Sequence, residues 1–336
     1  MKRLLPILLS LLAIGGGLAA CGGDDGDKLT VYSGRNEKLI GDLVESFKKD
    51  TGVDVEVRYG DSAELAATIA EEGDASPADV FFSQDAGALG AVEQAGLLKA
   101  LPQATLDKVD ARWRDPKGQW VGTSGRSRVI AYSTERVQEG DVPDSVFDLT
   151  DPRYKGRIGL APPNASFQAF VSAMRIDVGD AKTEEWLRGI KANAPKLLEN
   201  NIQTEEAIAR GEIDLGLVNH YYVYELRAER PDFPVANHFL KAGDPGALVN
   251  VAGAGILKSA DRPREAQRFV DYLLAVQGQQ YFADKTFEYP LVDGEAERPD
   301  GLPPIEDLQG PDIALGELGG KLKSTLEMLD RVGLSA

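Results

Sequence analysis

The chain has little of the residue types that many active sites and metal sites use. Among 336 residues there is one cysteine and there are two histidines. A single cysteine excludes an intramolecular disulfide and a thiolate metal site. The motifs G-x-x-x-x-G-K-[ST], G-x-S-x-G and H-E-x-x-H are also absent from the sequence. These absences indicate a binding protein and argue against an enzyme.

Positive charge is also scarce. The chain has 37 lysines and arginines against 54 aspartates and glutamates, which gives a formal net charge of −17. A surface with this balance repels phosphate backbones and anionic lipid. We therefore predict no nucleic-acid partner and no charge-driven binding to a membrane.

Long apolar runs are missing except at the N-terminus. A short basic start precedes the apolar residues 4–14, and "LAAC" then places small residues before Cys21. This pattern resembles the lipobox of bacterial lipoproteins, which implies a signal peptide over residues 1–20 and lipidation of Cys21. Residues 21–27 predict a flexible tether. The expected location is the extracytoplasmic face of the cell membrane, with the lipid as the only membrane anchor.

The remaining sequence alternates strand and helix patterns. "KLTVYSG", "VDVEVRYG" and "ADVFFS" predict strands, and the helical spacing of "EKLIGDLVESFKKDTG" lies between the first two. Further on, "REAQRFVDYLLAVQGQQYFAD" predicts one amphipathic helix. The alternation is typical of an α/β fold, and about 310 residues suit two domains.

Four polar stretches fall at or just after predicted strand ends: "YSGRNE", "FFSQD", "PPNASF" and "VNHYY". Ligands of open α/β sheets bind beyond the carboxyl ends of strands. The four stretches therefore predict a cleft between two lobes.

The residues alone leave two interpretations open for the most distinctive stretches. Tyr221 and Tyr222 are either packed aromatic side chains or two phenol oxygens aimed at one point. Asn164 and Ser166 are either simple helix caps or part of an anion site at a helix N-terminus, and these two roles are compatible.

Several motifs in order, "TVYSGRNE", "SPADVFFSQD", "SGRSRVIAYS", "YKGRIGLAPPNASFQAFV", "ARGEIDLGLVNHYY", "GDPGALVNVAGAGILKSA" and "FEYPL", resemble the bacterial ferric-iron-binding proteins. These are the substrate-binding subunits of iron ABC transporters. The resemblance implies the two-lobed periplasmic-binding-protein type II fold, in which each lobe is a mixed sheet flanked by helices and the ligand cleft lies between the lobes. We assign residues 28–126 plus 252–300 to lobe 1 and 127–251 plus 301–336 to lobe 2. We expect the hinge near Gly125–Ser133 and Ala247–Gly255.

The resemblance also implies a site. Ferric iron would be held by Tyr221 and Tyr222, and a synergistic anion, carbonate or phosphate, would complete the shell. The positions that match the family's anion-binding residues are Arg35, Arg126, Asn164, Ala165, Ser166, Asn201 and Asn219. Asn36 and Gln84 stand where other members have a histidine and a glutamate, so they are expected only as cleft contacts. Two phenolates, a dianion and one arginine balance Fe(3+) without a carboxylate ligand.

The expected partner is an ABC permease, and the chain is expected to act as a monomer. Alternative cargoes on the same fold are a ferric chelate, a phosphonate or an organic cation. Another alternative is a lipoprotein that senses a ligand and docks on a receptor.

Overall fold

The computed structural model describes residues 28–335, so the predicted signal peptide, Cys21 and the tether lie outside the described residues. The strands are β1 (Leu29–Ser33), β2 (Val55–Tyr59), β3 (Val80–Ser83), β4 (Trp120–Ser133), β5 (Ile158–Leu160), β6 (Lys196–Leu197), β7 (Leu215–Asn219), β8 (Val235–His238), β9 (Val249–Ile256) and β10 (Tyr289–Pro290). The helices are α1 (Glu37–Thr51), α2 (Ser62–Glu72), α3 (Ala86–Gln94), α4 (Gln103–Leu106), α5 (Ala165–Asp177), α6 (Asp180–Ala192), α7 (Asn201–Ala209), α8 (Tyr221–Glu229), α9 (Pro263–Leu273), α10 (Val276–Thr286) and α11 (Leu318–Val332). No helix within residues 28–335 has the length and apolar character needed to cross a bilayer.

The strands form a mixed sheet in the order β2-β1-β3-β9-β4-β7-β5-β6, with β8 and β10 also paired to β4. Strand β1 is parallel to β2 and β3, whereas β9 runs antiparallel to both β3 and β4. On the other side, β7 is antiparallel to β4 and parallel to β5. Helices flank this sheet, which confirms the predicted α/β class.

Capping residues and apolar spacing in the sequence explain helix α1 and strand β3. Helix α1 begins at its cap Asn36 and ends at Gly52, whose φ of 70° is readily available to glycine. It buries Ile40, Leu43 and Phe47, the apolar positions of its helical repeat. Strand β3 is buried along its whole length, as its continuous apolar run predicts.

One predicted element is wrong. The single helix expected over "REAQRFVDYLLAVQGQQYFAD" is two helices, because the chain is extended at Ala275 between α9 and α10. Gly278 sits so close to the preceding turn that a Cβ there would lie 2.5 Å from the carbonyl oxygen of Leu273. Both helices bury an apolar face, so the apolar periodicity continues across the break and hides it.

Strand β4 connects the two halves of the sheet. Its first half pairs with β9 and its second half pairs with β7 and β8. One predicted lobe boundary falls within β4 and the other falls within β9. The two proposed hinge segments overlap these same two strands. The lobe boundaries themselves stay a prediction.

The C-terminal helix α11 contacts helices of both predicted lobes. A Cβ on Gly319 would lie 2.1 Å from the carbonyl oxygen of Gly87, so α11 and α3 meet with no side chain between them. On its other side, Thr325 of α11 is hydrogen-bonded to Ser172 of α5 at 2.8 Å. The helices α3 and α5, which each begin near the candidate site, are thus held by the same C-terminal element.

Candidate metal and anion site

Residues from separate strand ends line one small cavity of about 90 Å³. Eight of the predicted site residues are on its wall: Gln84, Arg126, Asn164, Ala165, Ser166, Asn219, Tyr221 and Tyr222. Helices α3, α5 and α8 all begin at this cavity. The predicted convergence of "FFSQD", "PPNASF" and "VNHYY" is therefore present in the structure.

The two adjacent tyrosines are directed to the same side. Strand β7 ends at Asn219, and α8 begins at Tyr221 after a single connecting residue. The rings of Tyr221 and Tyr222 lie 4.1 Å apart between centroids with an interplanar angle of 35°. The early start of the helix thus brings both phenols to one wall.

Without a bound metal ion, the environment of both phenols favours their protonated form. Burial raises the pKa of Tyr221 well above its ordinary value, and the neighbouring Tyr222 raises it further. Burial also raises the pKa of Tyr222, although hydrogen bonds to Tyr221 and Asn201 oppose that effect. A bound metal ion reverses this balance because it stabilises the phenolate directly.

The start of α5 forms a polar cradle. Asn164 caps the helix, since its Oδ1 accepts the backbone N–H of Ser166 at 3.0 Å. Asn201 extends this network by donating from Nδ2 to the Ser166 hydroxyl at 3.2 Å. The cap interpretation of Asn164 is therefore confirmed. Asn164 and Ser166 also line the cavity, where the helix N-terminus favours an anion, whereas the predicted anion-binding residue Asn201 is fully buried and is not on the cavity wall.

Two arginines of β4 point to the cavity. Arg126 is 4% exposed, and within residues 28–335 its Nε and Nη1 have no hydrogen-bond partner. Arg128 already has hydrogen-bond partners, because it donates to the Ser166 hydroxyl (3.0 Å) and to the carbonyl oxygen of Leu217 (2.8 Å). Burial lowers the pKa of Arg128 to about 9, against the raising effect of Tyr222 and Tyr221. Arg126 is thus a buried cation with donors left over for a ligand.

Sequence reasoning missed Arg128 and Asp85. Arg128 is two residues from Arg126 in "GRSR", and the period of two in a strand places both on one face. Asp85 follows Gln84 in "FFSQD" and caps α3 by accepting the N–H of Ala88 at 3.0 Å. Burial raises the pKa of Asp85, whereas the hydrogen bond from Ala88 and the charge of Arg126 lower it. The cavity therefore includes a carboxyl group that the charge count from sequence omitted.

The structure does not bring Arg35 or Asn36 to the cavity. Arg35 is fully buried, and both terminal nitrogens donate to the two carboxylate oxygens of Glu288 at 2.9 Å. Asn36 is an exposed cap whose Oδ1 accepts the N–H of Leu39. Their side chains have local structural roles, so neither enters the proposed function.

His220, next to the tyrosines, is a structural residue. Its Nδ1 accepts the backbone N–H of Ser127 (3.1 Å), so its Nε2 carries the proton and donates to the carbonyl oxygen of Phe287 (2.9 Å). Burial lowers the pKa of His220 to about 4. Among the described residues no group of three or more His, Cys, Asp or Glu side chains is arranged to hold a metal ion.

The lowered pKa predicts a specific pH dependence of stability. His220 is neutral when folded and has a pKa near 6.5 when unfolded, so its stabilising effect is complete above about pH 6.5 and is lost as the pH falls towards 4. We expect the difference in free energy of unfolding between the wild type and His220→Gln to shrink by about 2–3 kcal/mol from pH 7 to pH 4.5. Urea unfolding at both pH values measures it. A His220→Gln difference that is equal at both pH values would contradict the assignment.

The chain is similar in sequence to known proteins. The sequence profile of the bacterial extracellular solute-binding protein family matches residues 75–309. The chain is 33% identical over 331 residues to the Fe(3+)-binding periplasmic protein of Serratia marcescens, covering 98% of this chain and 96% of that protein.

Solved structures are similar in fold as well. Iron-bound HitA from Pseudomonas aeruginosa superposes with a TM-score of 0.84 at 36% identity and covers 91% of this chain and 99% of its own. Trichodesmium IdiA (FutA), solved with iron and citrate ligands, gives a TM-score of 0.81 at 30% identity, with coverage of 92% and 100%.

Proposed function

Since the chain belongs to the bacterial extracellular solute-binding proteins, in their group of ferric-iron-binding proteins, we propose that it captures ferric iron with a small synergistic anion and delivers it to an ABC permease. It is a solute-binding transport protein and not an enzyme. The same proposal includes lipidation of Cys21, attachment to the outer face of the cell membrane and action as a monomer.

One observation carries the proposal: the adjacent phenols of Tyr221 and Tyr222 share a cavity wall with Arg126, whose Nε and Nη1 have no hydrogen-bond partner among the described residues. Ferric iron is a hard ion that favours anionic oxygen donors, which two phenolates supply. Arg126 has free donors for an oxyanion bound to the same iron.

The charges of the cavity support this composition. Two phenolates and a carbonate or phosphate dianion leave Fe(3+) with one net negative charge. The cations of Arg126 and Arg128, set against the carboxylate of Asp85, add one net positive charge. The loaded cavity is therefore neutral, which favours keeping all these groups away from water.

The size of the cavity fits a small cargo. A volume of about 90 Å³ corresponds to roughly three water molecules at ~30 Å³ each. An iron ion with a carbonate or phosphate is of this order. An ion bound between the two predicted lobes would favour their closed arrangement, which is the form we propose the permease recognises.

The test is a visible titration of the full chain with ferric nitrilotriacetate at increasing bicarbonate or phosphate concentration. We expect a phenolate-to-iron charge-transfer band that grows with the anion. In Arg126→Gln both tyrosines remain, so the band should still form, but at a bicarbonate concentration at least tenfold higher.

The matched control is Arg112→Gln, which removes an exposed arginine that stacks on Trp113. This variant should need the same bicarbonate concentration as the wild type. A wild-type protein that stays colourless with both anions and has no measurable iron affinity would overturn the proposed function.

A further inference from the structure

A second, larger cavity of about 520 Å³ adjoins the iron cavity, and we call it the annex. The two cavities share Gln84, Asp85 and Ala165 as wall residues. Helices α2, α3, α5 and α11 surround the annex. A ligand held at the tyrosines therefore has room to extend in this direction.

The free surface of the annex is apolar. Ala63, Ala67 and Ala70 are exposed along one face of α2, and Ala169 of α5 and Leu322 of α11 line other parts of the wall. None of the described residues that line the annex is lysine, arginine or histidine. No positively charged side chain on the annex wall would therefore balance the charge of an anionic ligand.

Three polar side chains of the wall already have partners. The Ser62 hydroxyl accepts the backbone N–H of Gln84, and the Gln168 amide donates to the carbonyl oxygen of Pro163. Ser172 is hydrogen-bonded to Thr325 of α11. At the other end, in the iron cavity, the Nε and Nη1 of Arg126 are unpartnered among the described residues.

This polarity gradient defines a ligand with two parts. Its head carries oxyanions for ferric iron and Arg126, and its body is uncharged and apolar for the annex. Carbonate and phosphate supply only the head. Citrate carries further carboxylates, and any of these in the annex would meet the carboxylate of Asp61 on a wall that has no lysine, arginine or histidine.

We propose that the site accepts a catechol-class chelator, whose two adjacent oxygens bind the iron and whose aromatic ring occupies the annex; this inference rests on the proposed capture of ferric iron. Catechol releases both phenolic protons on binding iron and becomes a dianion. It therefore replaces carbonate without changing the charge count at Tyr221, Tyr222 and Arg126. The ring brings apolar surface into contact with the alanines of α2.

The experiment adds catechol to the ferric protein and measures the catecholate-to-iron band, followed by ultrafiltration and analysis of the retained iron and catechol. We expect one retained catechol per bound iron. In Ala67→Leu, which adds bulk inside the annex, the catechol concentration for half-formation should rise at least tenfold. Iron binding supported by bicarbonate should stay within twofold of the wild type.

The matched control is Ala181→Leu, an exposed alanine of α6 that is not on the annex wall. It should behave as the wild type with both catechol and bicarbonate. Ferric protein that retains no catechol would overturn the inference, and so would equal catechol binding by the wild type and Ala67→Leu. Equal loss of catechol and bicarbonate binding in Ala67→Leu would also overturn it, because the annex would then be a surface for lobe closure. Failure of the wild type to bind iron with bicarbonate would instead overturn the proposed function.

Discussion

Replacing both Tyr221 and Tyr222 by phenylalanine is expected to abolish the visible band and to weaken ferric iron binding at least a hundredfold. The two phenols lie side by side on one wall of the cavity and are its proposed anionic iron donors. A hundredfold loss corresponds to about 2.8 kcal/mol of binding free energy. Tyr222→Phe alone should lose at least tenfold. Calorimetry with ferric nitrilotriacetate in bicarbonate measures the affinities.

The control for this prediction is Tyr224→Phe on the same helix. Tyr224 is half-buried and stacks on Phe287, with ring centroids 5.9 Å apart, and it is not on the cavity wall. Its removal should leave the band and the iron affinity unchanged. If the double phenylalanine variant binds iron as the wild type does, the tyrosine pair serves only packing.

Glu288→Gln is expected to lower the free energy of unfolding by about 3–5 kcal/mol. Glu288 and Arg35 are both fully buried, and they are joined by two hydrogen bonds of 2.9 Å. Although burial alone raises the pKa of Glu288, Arg35, Arg126 and hydrogen bonds bring it below its usual value, so the carboxylate is ionised when folded. The neutral amide leaves the Arg35 cation buried without its counter-charge. Urea unfolding of the iron-free protein at pH 7 measures this loss.

Two further variants separate the buried pair from ordinary surface charges. The double variant Arg35→Met with Glu288→Leu removes both charges and should recover most of the lost stability. Lys28→Met removes one member of an exposed pair with Glu56 and should cost at most about 1 kcal/mol. A Glu288→Gln loss as small as that of Lys28→Met would show that the ion pair does not stabilise the fold.

The elements of the fold were largely predictable because their signals are local. The apolar spacing of α1, the buried run of β3 and the polar stretches after strand ends all follow from neighbours in sequence. The break between α9 and α10 was not predictable, since the apolar repeat continues through it. At the break Gly278 packs closely against the end of α9, a contact that the pattern of apolar residues does not record.

The candidate site was predictable in part. The stretches "NHYY" and "PPNASF" were selected as site segments, and the structure brings both to one cavity. Asp85 was overlooked although its neighbour Gln84 was selected, because an aspartate before a helix is most often only a cap. Arg35 and Arg126 looked equivalent from the sequence, yet only Arg126 lines the cavity.

The sequence by itself determined the α/β class, the family and the positions of the tyrosine pair, since these depend on residue type and local order. Only the tertiary structure decided which charged groups are available to a ligand. Arg35 is neutralised by Glu288, which lies 253 residues away along the chain, whereas Arg126 is buried with unpartnered donors among the described residues. The annex likewise exists only where α2, α3, α5 and α11 come together. Long-range contacts fix which buried charges are balanced and where space remains, and no local pattern contains that information.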